Sequence, residues 1–196
     1  AKIAYRLLVS HDLEEVQEQL EGLLAGGQAD RACDLYELFL AGCYEKAEEI
    51  DDSGGNLGMF FGELFCGWIK ARQSAGRDPD ETVRDIIGWM DKDDYGFCYG
   101  IEADVASALD KDGFALFRKH LEDRFESAFA SFEGEPAKAI FEYPAAVHVT
   151  ARRLKAVYVA RRAARPYIAL CERMLASPKD CENIAGLYKA QGRPQD

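Results

Sequence analysis

The sequence predicts an all-α protein made of antiparallel helical hairpins stacked in chain order, an α-solenoid or tetratricopeptide-like arrangement. Three observations support this prediction. Apolar residues recur at helical spacing through most of the 196 residues. The segments between these stretches are short and contain the residues that end and begin helices. All six prolines lie at such edges, so none interrupts an apolar stripe.

Four amphipathic stripes define the clearest predicted helices, because their apolar residues follow i, i+3, i+4 and i+7 spacing. A strand is conceivable only at residues 147–150, VHVT, where β-branched residues alternate with others. We therefore expect about eight or nine helices joined by short turns, which favours antiparallel neighbours. In chain order the stripes are Leu13, Val16, Leu20, Leu23 and Leu24; Ala32, Tyr36, Phe39, Leu40, Cys43 and Ala47; Leu57, Phe60, Phe61, Leu64, Phe65, Trp68 and Ile69; and Phe114, Phe117, Leu121, Phe125, Phe129 and Phe132.

The segments between the predicted helices contain residues that typically end one helix and begin the next. In SAGRDPDETV, Gly76 is expected to close one helix, Asp78 to cap the next, and Pro79 to occupy its first position. The glycines of LLAGGQADRAC, EIDDSGGNLG and LDKDGFALF indicate further helix boundaries.

Three stretches resemble a family of uncharacterised bacterial helical proteins, described as a domain of unknown function with tetratricopeptide-like repeats. They are AEEIDDSGGNLGMFFGELFCGWIKA, RDPDETVRDIIGWMDKDDYG and IAGLYKAQGRPQD. The resemblance covers roughly residues 5–130 and 165–196. It implies an α-solenoid-like fold and a cytoplasmic bacterial protein. It supplies no activity, so no catalytic residue can be assigned from it.

The predicted domain organisation is a single helical-repeat domain over residues 1–196, with a possible sub-boundary near 133–144. The chain starts without methionine inside an apparent helix, and it stops after a Gly-Arg-Pro turn where a partner helix should begin. We therefore expect this chain to be a fragment of a longer protein.

The composition argues against several classes of function. A net charge of −11 argues against nucleic-acid binding, and the longest apolar runs are too short to span a membrane. Six cysteines without a CxxC pair suggest free thiols in a reducing cytoplasm, and three scattered histidines suggest no zinc site. The sequence contains no GxSxG, P-loop or Rossmann motif. We therefore expect no cofactor and no enzymatic activity.

The charge is unevenly distributed along the chain. Residues 151–196 carry ten bases and four acids, although the whole chain is acidic. This basic segment either lies against the acidic remainder of the fold or forms a docking face for an acidic partner. The acid-rich residues 45–52, at a predicted helix end, are its expected internal partner and the alternative binding site. The candidate partner-binding residues are Arg152, Arg153, Lys155, Arg161, Arg162 and Arg165.

The run DKDDYGFCYGIE, from Asp91 to Glu102, has the skeleton of a calcium-binding EF-hand loop. Asp91, Asp93 and Glu102 fill the first, third and twelfth places, and Gly96 fills the sixth. The neutral phenol of Tyr95 is a poor ligand at the fifth place. The second loop of an EF-hand pair is missing, because DKDGFALFRKHLED has Phe and Ala at its fifth and sixth places.

A turn between two helices also explains the same residues of the 91–102 run. One helix ends after TVRDIIGWM, and Asp93 or Asp94 caps the next. Glu102 and Asp104 are then expected on the solvent side of that helix. Acidic side chains in the first turns of a helix interact favourably with the helix dipole. Three residues are expected to point inward: Ile101, Val105 and Leu109.

The function predicted from the sequence is a non-enzymatic helical-repeat scaffold that binds a protein or peptide partner. The first alternative is a divalent-metal-responsive protein that uses the 91–102 loop. The second is the accessory part of an enzyme whose active site lies outside the fragment. The sequence does not identify the partner or the oligomeric state.

Overall fold

A computed structural model describes residues 15–45, 56–132, 143–174 and 176–192, with the side chains of 56–59 excepted. These residues form nine helices and no strand, so the all-α prediction is confirmed. Residues 147–150, where a strand was conceivable, lie inside a helix. The helices are α1 (15–25), α2 (Ala29–Glu45), α3 (Asn56–Ser74), α4 (Pro79–Asp91), α5 (Glu102–Ala108), α6 (Lys111–Ala130), α7 (Ala145–Ala160), α8 (Ala164–Met174) and α9 (Pro178–Ala190).

The described residues divide into two compact units. Unit 1 extends to Gly113, and unit 2 begins at Phe114. The predicted single domain with a possible sub-boundary near 133–144 stays a prediction, and residues 133–142 lie outside the described part of the chain.

Helix α3 is the centre of unit 1, because it packs against α2, α4 and α5. Tyr44 of α2 contacts Phe61, whereas Glu37, which comes earlier in α2, contacts Trp68. This reversed order of contacts means that α2 and α3 run antiparallel. The apolar stripe predicted for α3 is buried as expected, with at most 8% exposure at Phe60, Phe61, Leu64, Phe65, Trp68 and Ile69.

A buried arginine joins three helices of unit 1. Arg72 of α3 is 6% exposed, and its guanidinium lies 3.1 Å from Glu37 of α2 and 3.2 Å from Asp85 of α4. It also lies 3.3 Å from Glu81, and its Nε donates a hydrogen bond of 2.9 Å to Thr82 Oγ1. The planar fork of five donors allows one arginine to satisfy acceptors on both neighbouring helices.

The start of α4 confirms the predicted roles of Gly76, Asp78 and Pro79 at this helix boundary. Gly76 adopts a positive φ of 67° after α3 ends. The Asp78 side chain then accepts a hydrogen bond of 3.0 Å from the backbone N–H of Asp80, and Pro79 occupies the first turn. A side-chain acceptor at this position satisfies a backbone donor that has no partner within the helix.

In unit 2, α8 packs against both α7 and α9. Helix α6 is tied to α7 by the Tyr158 hydroxyl, which donates to Glu122 at 2.9 Å. It is tied to α8 by Arg173, which pairs with Glu126 and lies over the Phe125 ring at 4.8 Å.

Asp180 is the most strongly bonded buried carboxylate of unit 2. It is 4% exposed and accepts from Lys155 Nζ at 2.8 Å and from the Tyr167 hydroxyl at 2.7 Å. Its carboxylate also accepts from Ser177, whose hydroxyl in turn caps the start of α9. Burial by itself raises the pKa of Asp180, but the bonds from Lys155, Ser177 and Tyr167 outweigh it, so the pKa lies well below its usual value.

We predict that Asp180→Asn lowers the free energy of unfolding by about 3 kcal/mol at neutral pH, because it leaves the half-buried Lys155 without its partner. Since the folded pKa of Asp180 lies below the ordinary value of 3.8, its contribution is complete above that pH and declines below it. Urea unfolding of both proteins should therefore show the difference shrinking as the pH falls below about 4.

The matched control is Asp123→Asn, which removes the exposed ion pair between Asp123 and Lys119 in the same unit. An exposed pair one helical turn apart is worth about 0.5 kcal/mol or less. Equal losses of stability in the two variants would contradict the role assigned to Asp180.

Candidate functional site: an acid-lined groove in unit 1

A groove of about 630 Å³ lies among α1, α2, α3 and α5 of unit 1. Its volume is within the range of small-molecule and side-chain binding sites. One face of α3 forms its floor, because residues at i, i+1, i+4, i+5 and i+8 lie on the same side of a helix. The floor residues are Gly62, Glu63, Cys66, Gly67 and Lys70.

The Tyr36 ring of α2 crosses this floor directly above Gly67. A Cβ atom at position 67 would lie 2.2 Å from the Tyr36 hydroxyl oxygen and 2.4 Å from Cζ, so only glycine allows this approach. Tyr36 is 1% exposed, yet both it and Gly67 line the groove. Within the described part of the chain, the Tyr36 hydroxyl makes no hydrogen bond. The hydroxyl therefore lies at the groove wall with its donor and acceptor unused.

Three carboxylates surround the groove, one from each of three helices. Glu21 comes from α1, Glu63 from α3 and Asp104 from α5. The Asp104 Oδ2 atom lies 3.3 Å from the position that a Cβ of Gly62 would occupy, so the second floor glycine makes room for this carboxylate. Among the described groove residues Lys70 is the one cation, so these residues together carry a net negative charge.

Two groove residues, Tyr36 and Cys66, are held in their protonated, neutral forms. Burial, reinforced by the charge of Glu21, raises the pKa of Tyr36 to about 12. Burial also raises the pKa of the Cys66 thiol, with Asp104 and Glu63 adding to the shift and Lys70 opposing it. A thiol acts as a nucleophile in its ionised form. The groove is therefore suited to hydrogen bonding and charge recognition rather than to nucleophilic catalysis.

The 91–102 loop is packed as a joint between α4 and α5. Both oxygens of Asp93 accept backbone N–H bonds, from Phe97 at 2.9 Å and from Cys98 at 2.7 Å. Phe97 stacks on Phe61 of α3 with ring centroids 4.6 Å apart. Gly96, the predicted turn residue, has a φ of 82°. Asp93 thus holds the turn that precedes α5.

Two details of this loop correct the sequence interpretation. Glu102, expected on the solvent side, is 1% exposed, because the first turn of α5 faces the core, whereas Asp104 is exposed as predicted. Neither Asp93 nor Asp94 caps α5, since the residue before its first turn is Ile101 and no side chain caps that end. The inward positions of Ile101, Val105 and Leu109 are confirmed.

No three His, Cys, Asp or Glu side chains in residues 15–45, 56–132, 143–174 and 176–192 are arranged to hold a metal ion. This statement includes the candidate ligands Asp91, Asp93 and Glu102, and also the groove carboxylates. Calcium requires six to eight oxygens at 2.3–2.6 Å. Calcium binding by the loop stays a prediction that no contact in the structure favours.

The predicted basic segment does not form one exposed face. Lys155 pairs with Asp180, and the Arg161 guanidinium lies 4.3 Å from the centre of the Phe114 ring, both within unit 2. Arg152 and Arg153 are partly buried in α7. Part of the segment thus contributes to packing in unit 2.

The remaining two candidates are exposed. Arg162 is in the turn between α7 and α8 with a φ of 53°, and Arg165 is in the first turn of α8. Docking of an acidic partner on the segment stays a prediction. The expected acidic counterpart, residues 45–52, lies outside the described residues from position 46 onward.

Sequence reasoning assigned Tyr36 to a core stripe and missed the groove. The available signal was the pair of glycines, Gly62 and Gly67, inside the amphipathic stretch GELFCGWIK. A glycine in a helix interior costs about 1 kcal/mol relative to alanine, so two glycines five positions apart indicate a close approach.

A comparison with protein-family models matches most of the chain. The model of DUF6880, a family of unknown function, matches residues 4–172. The chain belongs to the DUF6880 family. This confirms the predicted membership of an uncharacterised family and supplies no activity. Within DUF6880, the matched segment contains the whole groove of unit 1, whereas α9 and Asp180 lie beyond it. No curated protein and no solved structure matches the chain.

None of the described helices of this DUF6880 member combines the length and the apolar character needed to cross a bilayer.

We predict that Gly67→Ala destabilises the fold, because its Cβ would overlap the Tyr36 ring. Overpacking of a buried site costs about 1–3 kcal/mol, which exceeds the gain in helix propensity. Urea unfolding should show this loss. Gly88→Ala is the matched control, since nothing lies within 4 Å of its Cβ in α4, and it should stabilise by about 0.5–1 kcal/mol. Similar effects of the two changes would contradict the close approach.

We also predict that one of the six thiols reacts rapidly with a disulfide reagent. Cys181 is exposed, whereas Cys66 is half-buried with a raised pKa and the other four are buried. Stopped-flow labelling at neutral pH should show a single fast phase that Cys181→Ser abolishes and Cys66→Ser leaves intact. A fast phase lost in Cys66→Ser would show that the groove thiol is activated.

Proposed function

We propose that this chain is a non-enzymatic binding module and that the unit 1 groove receives a segment of a protein or peptide partner. The observation that supports this proposal is the Tyr36 hydroxyl, which belongs to a buried side chain, faces the groove and makes no hydrogen bond to any described residue. The hydroxyl oxygen is open to the groove rather than enclosed by protein, so a ligand in the groove can bond to it.

The energetics favour a bound partner. A ligand that bonds to the Tyr36 hydroxyl gains the net free energy of one hydrogen bond, about 0.5–1.5 kcal/mol. The neighbouring charged side chains also favour binding of a partner. Glu63, Lys70 and Asp104 form no ion pair with any residue that the structure describes, so their charges are available to a partner.

The protonation states of Tyr36 and Cys66 favour a binding function over a catalytic one. Tyr36 and Cys66 both have raised pKa values, so neither supplies a base or nucleophile at neutral pH. Recognition through hydrogen bonds and charge requires no ionisation of either group.

The wider context of the proposal is a tetratricopeptide-like helical repeat in the cytoplasm of a bacterium. The antiparallel packing of α2 on α3 supports the repeat arrangement, and such repeats bind peptides on extended surfaces. The bacterial and cytoplasmic assignments rest on the family resemblance.

A displayed library of random dodecapeptides, selected on the immobilised 196-residue chain, tests the proposal. We expect enriched peptides with micromolar affinity that shift the amide resonances of residues around Tyr36, Cys66 and Asp104 in the labelled protein. Glu63→Lys should abolish their binding, because it reverses a charge at the groove. Glu182→Lys, an exposed change in α9 of unit 2, should leave it intact. A selection without enriched peptides, or shifts confined to unit 2, would overturn the proposal.

A further inference from the structure

We infer that the groove recognises an arginine side chain of the partner peptide, with the guanidinium bonded to the Tyr36 hydroxyl and paired with the groove carboxylates. This inference rests on the proposed function and adds the chemical identity of the partner residue. Four features of the groove support it: its charge, the spacing of its acceptors, the neutral hydroxyl, and the absence of a converging ligand set.

The charge of the groove selects a cation. Three carboxylates, Glu21, Glu63 and Asp104, oppose the single ammonium of Lys70. At about 4 Å, two unit charges near a protein surface interact by several times the thermal energy. The three carboxylates are exposed, and a cationic side chain in the groove offsets their net negative charge, whereas an anionic occupant adds to it.

The spacing of the acceptors favours a guanidinium over an ammonium. Tyr36 lies over Gly67, and Asp104 lies beside Gly62, five residues earlier on the floor helix. These two floor positions are separated by about 7.5 Å of rise along α3. An ammonium presents its donors from a single nitrogen, so it suits acceptors that lie close together. A guanidinium distributes five donors over three nitrogens and reaches further.

The Tyr36 hydroxyl is a suitable acceptor for this group. Because the phenol stays protonated, its oxygen accepts an N–H from the guanidinium, and its own O–H can donate to a groove carboxylate or a peptide carbonyl. The hydroxyl contributes both bonds without ionising. This arrangement uses the donor and the acceptor that the described residues leave free.

A metal ion is the competing cation, and the geometry disfavours it. The groove carboxylates come from three helices and do not form a group of metal-binding spacing among the described residues. A metal ion draws its oxygen ligands to about 2.0–2.6 Å from one point. An arginine side chain, in contrast, can contact carboxylates that lie apart from one another.

The test compares four capped peptides that differ only at one central position, which is Arg, Lys, Gln or Glu, in an otherwise neutral sequence taken from the enriched library. Fluorescence anisotropy with the full chain should rank the affinities Arg, Lys, Gln and Glu from tightest to weakest. Loss of a charge-assisted bond typically changes affinity about tenfold, which is the expected gap between the Arg and Gln peptides.

Two variants locate the arginine in the groove. Tyr36→Phe should weaken the Arg peptide several-fold while leaving the unfolding midpoint unchanged or higher, because the lost hydroxyl has no bond in the unbound protein. Asp104→Asn, at an exposed position, should weaken the Arg peptide more than the Gln peptide. Asp123→Asn in unit 2 is the matched control and should change neither affinity.

The outcomes separate this inference from the proposed function. Tighter binding of the Arg peptide that depends on Tyr36 and Asp104 supports both. Peptides that bind the groove equally well with Gln at the central position, or that Tyr36→Phe does not weaken, overturn the arginine assignment and leave the binding module standing. A library that yields no groove-binding peptide overturns both.

Discussion

The close approach of Tyr36 to Gly67 is the constraint on which the groove of unit 1 depends. With 2.2 Å between the hydroxyl and the position of a Cβ, the phenol ring lies directly on the backbone of α3. This contact places a large aromatic side chain of α2 over a helix face that carries two glycines. The same face would otherwise be filled by side chains, and α1, α2, α3 and α5 would enclose no groove.

The buried ion pairs of the two units differ from the polar groups of the groove in whether they have partners. Arg72 in unit 1 and Asp180 in unit 2 are buried charges that are paired with side chains of neighbouring helices. Buried ions of this kind are tolerated because they are paired. The Tyr36 hydroxyl, Glu63 and Asp104 make no hydrogen bond or ion pair with any residue that the structure describes. This contrast supports the proposed binding role of the groove, whereas the ion clusters join helices within each unit.

The loop from Asp91 to Glu102 shows how one sequence pattern can satisfy a different physical requirement. The acids and glycine of a calcium loop are present, but Asp93 bonds to backbone N–H groups and Gly96 supplies a left-handed turn. Phe97 then packs into the aromatic core beside Phe61. Both an EF-hand and a helix corner need a carboxylate acceptor and a glycine turn, so these letters alone do not distinguish them.

The helical architecture could be predicted without tertiary structure, because periodic apolar stripes and residues such as Asp78 and Pro79 act locally along the chain. The same holds for most of the core, including the stripe of α3. Tertiary structure decided the burial of Glu102, the pairing of Lys155 with Asp180, and the groove above Gly67. These features join residues 25 or more positions apart or depend on which face of a short helix meets the core, and no local pattern encodes such distances.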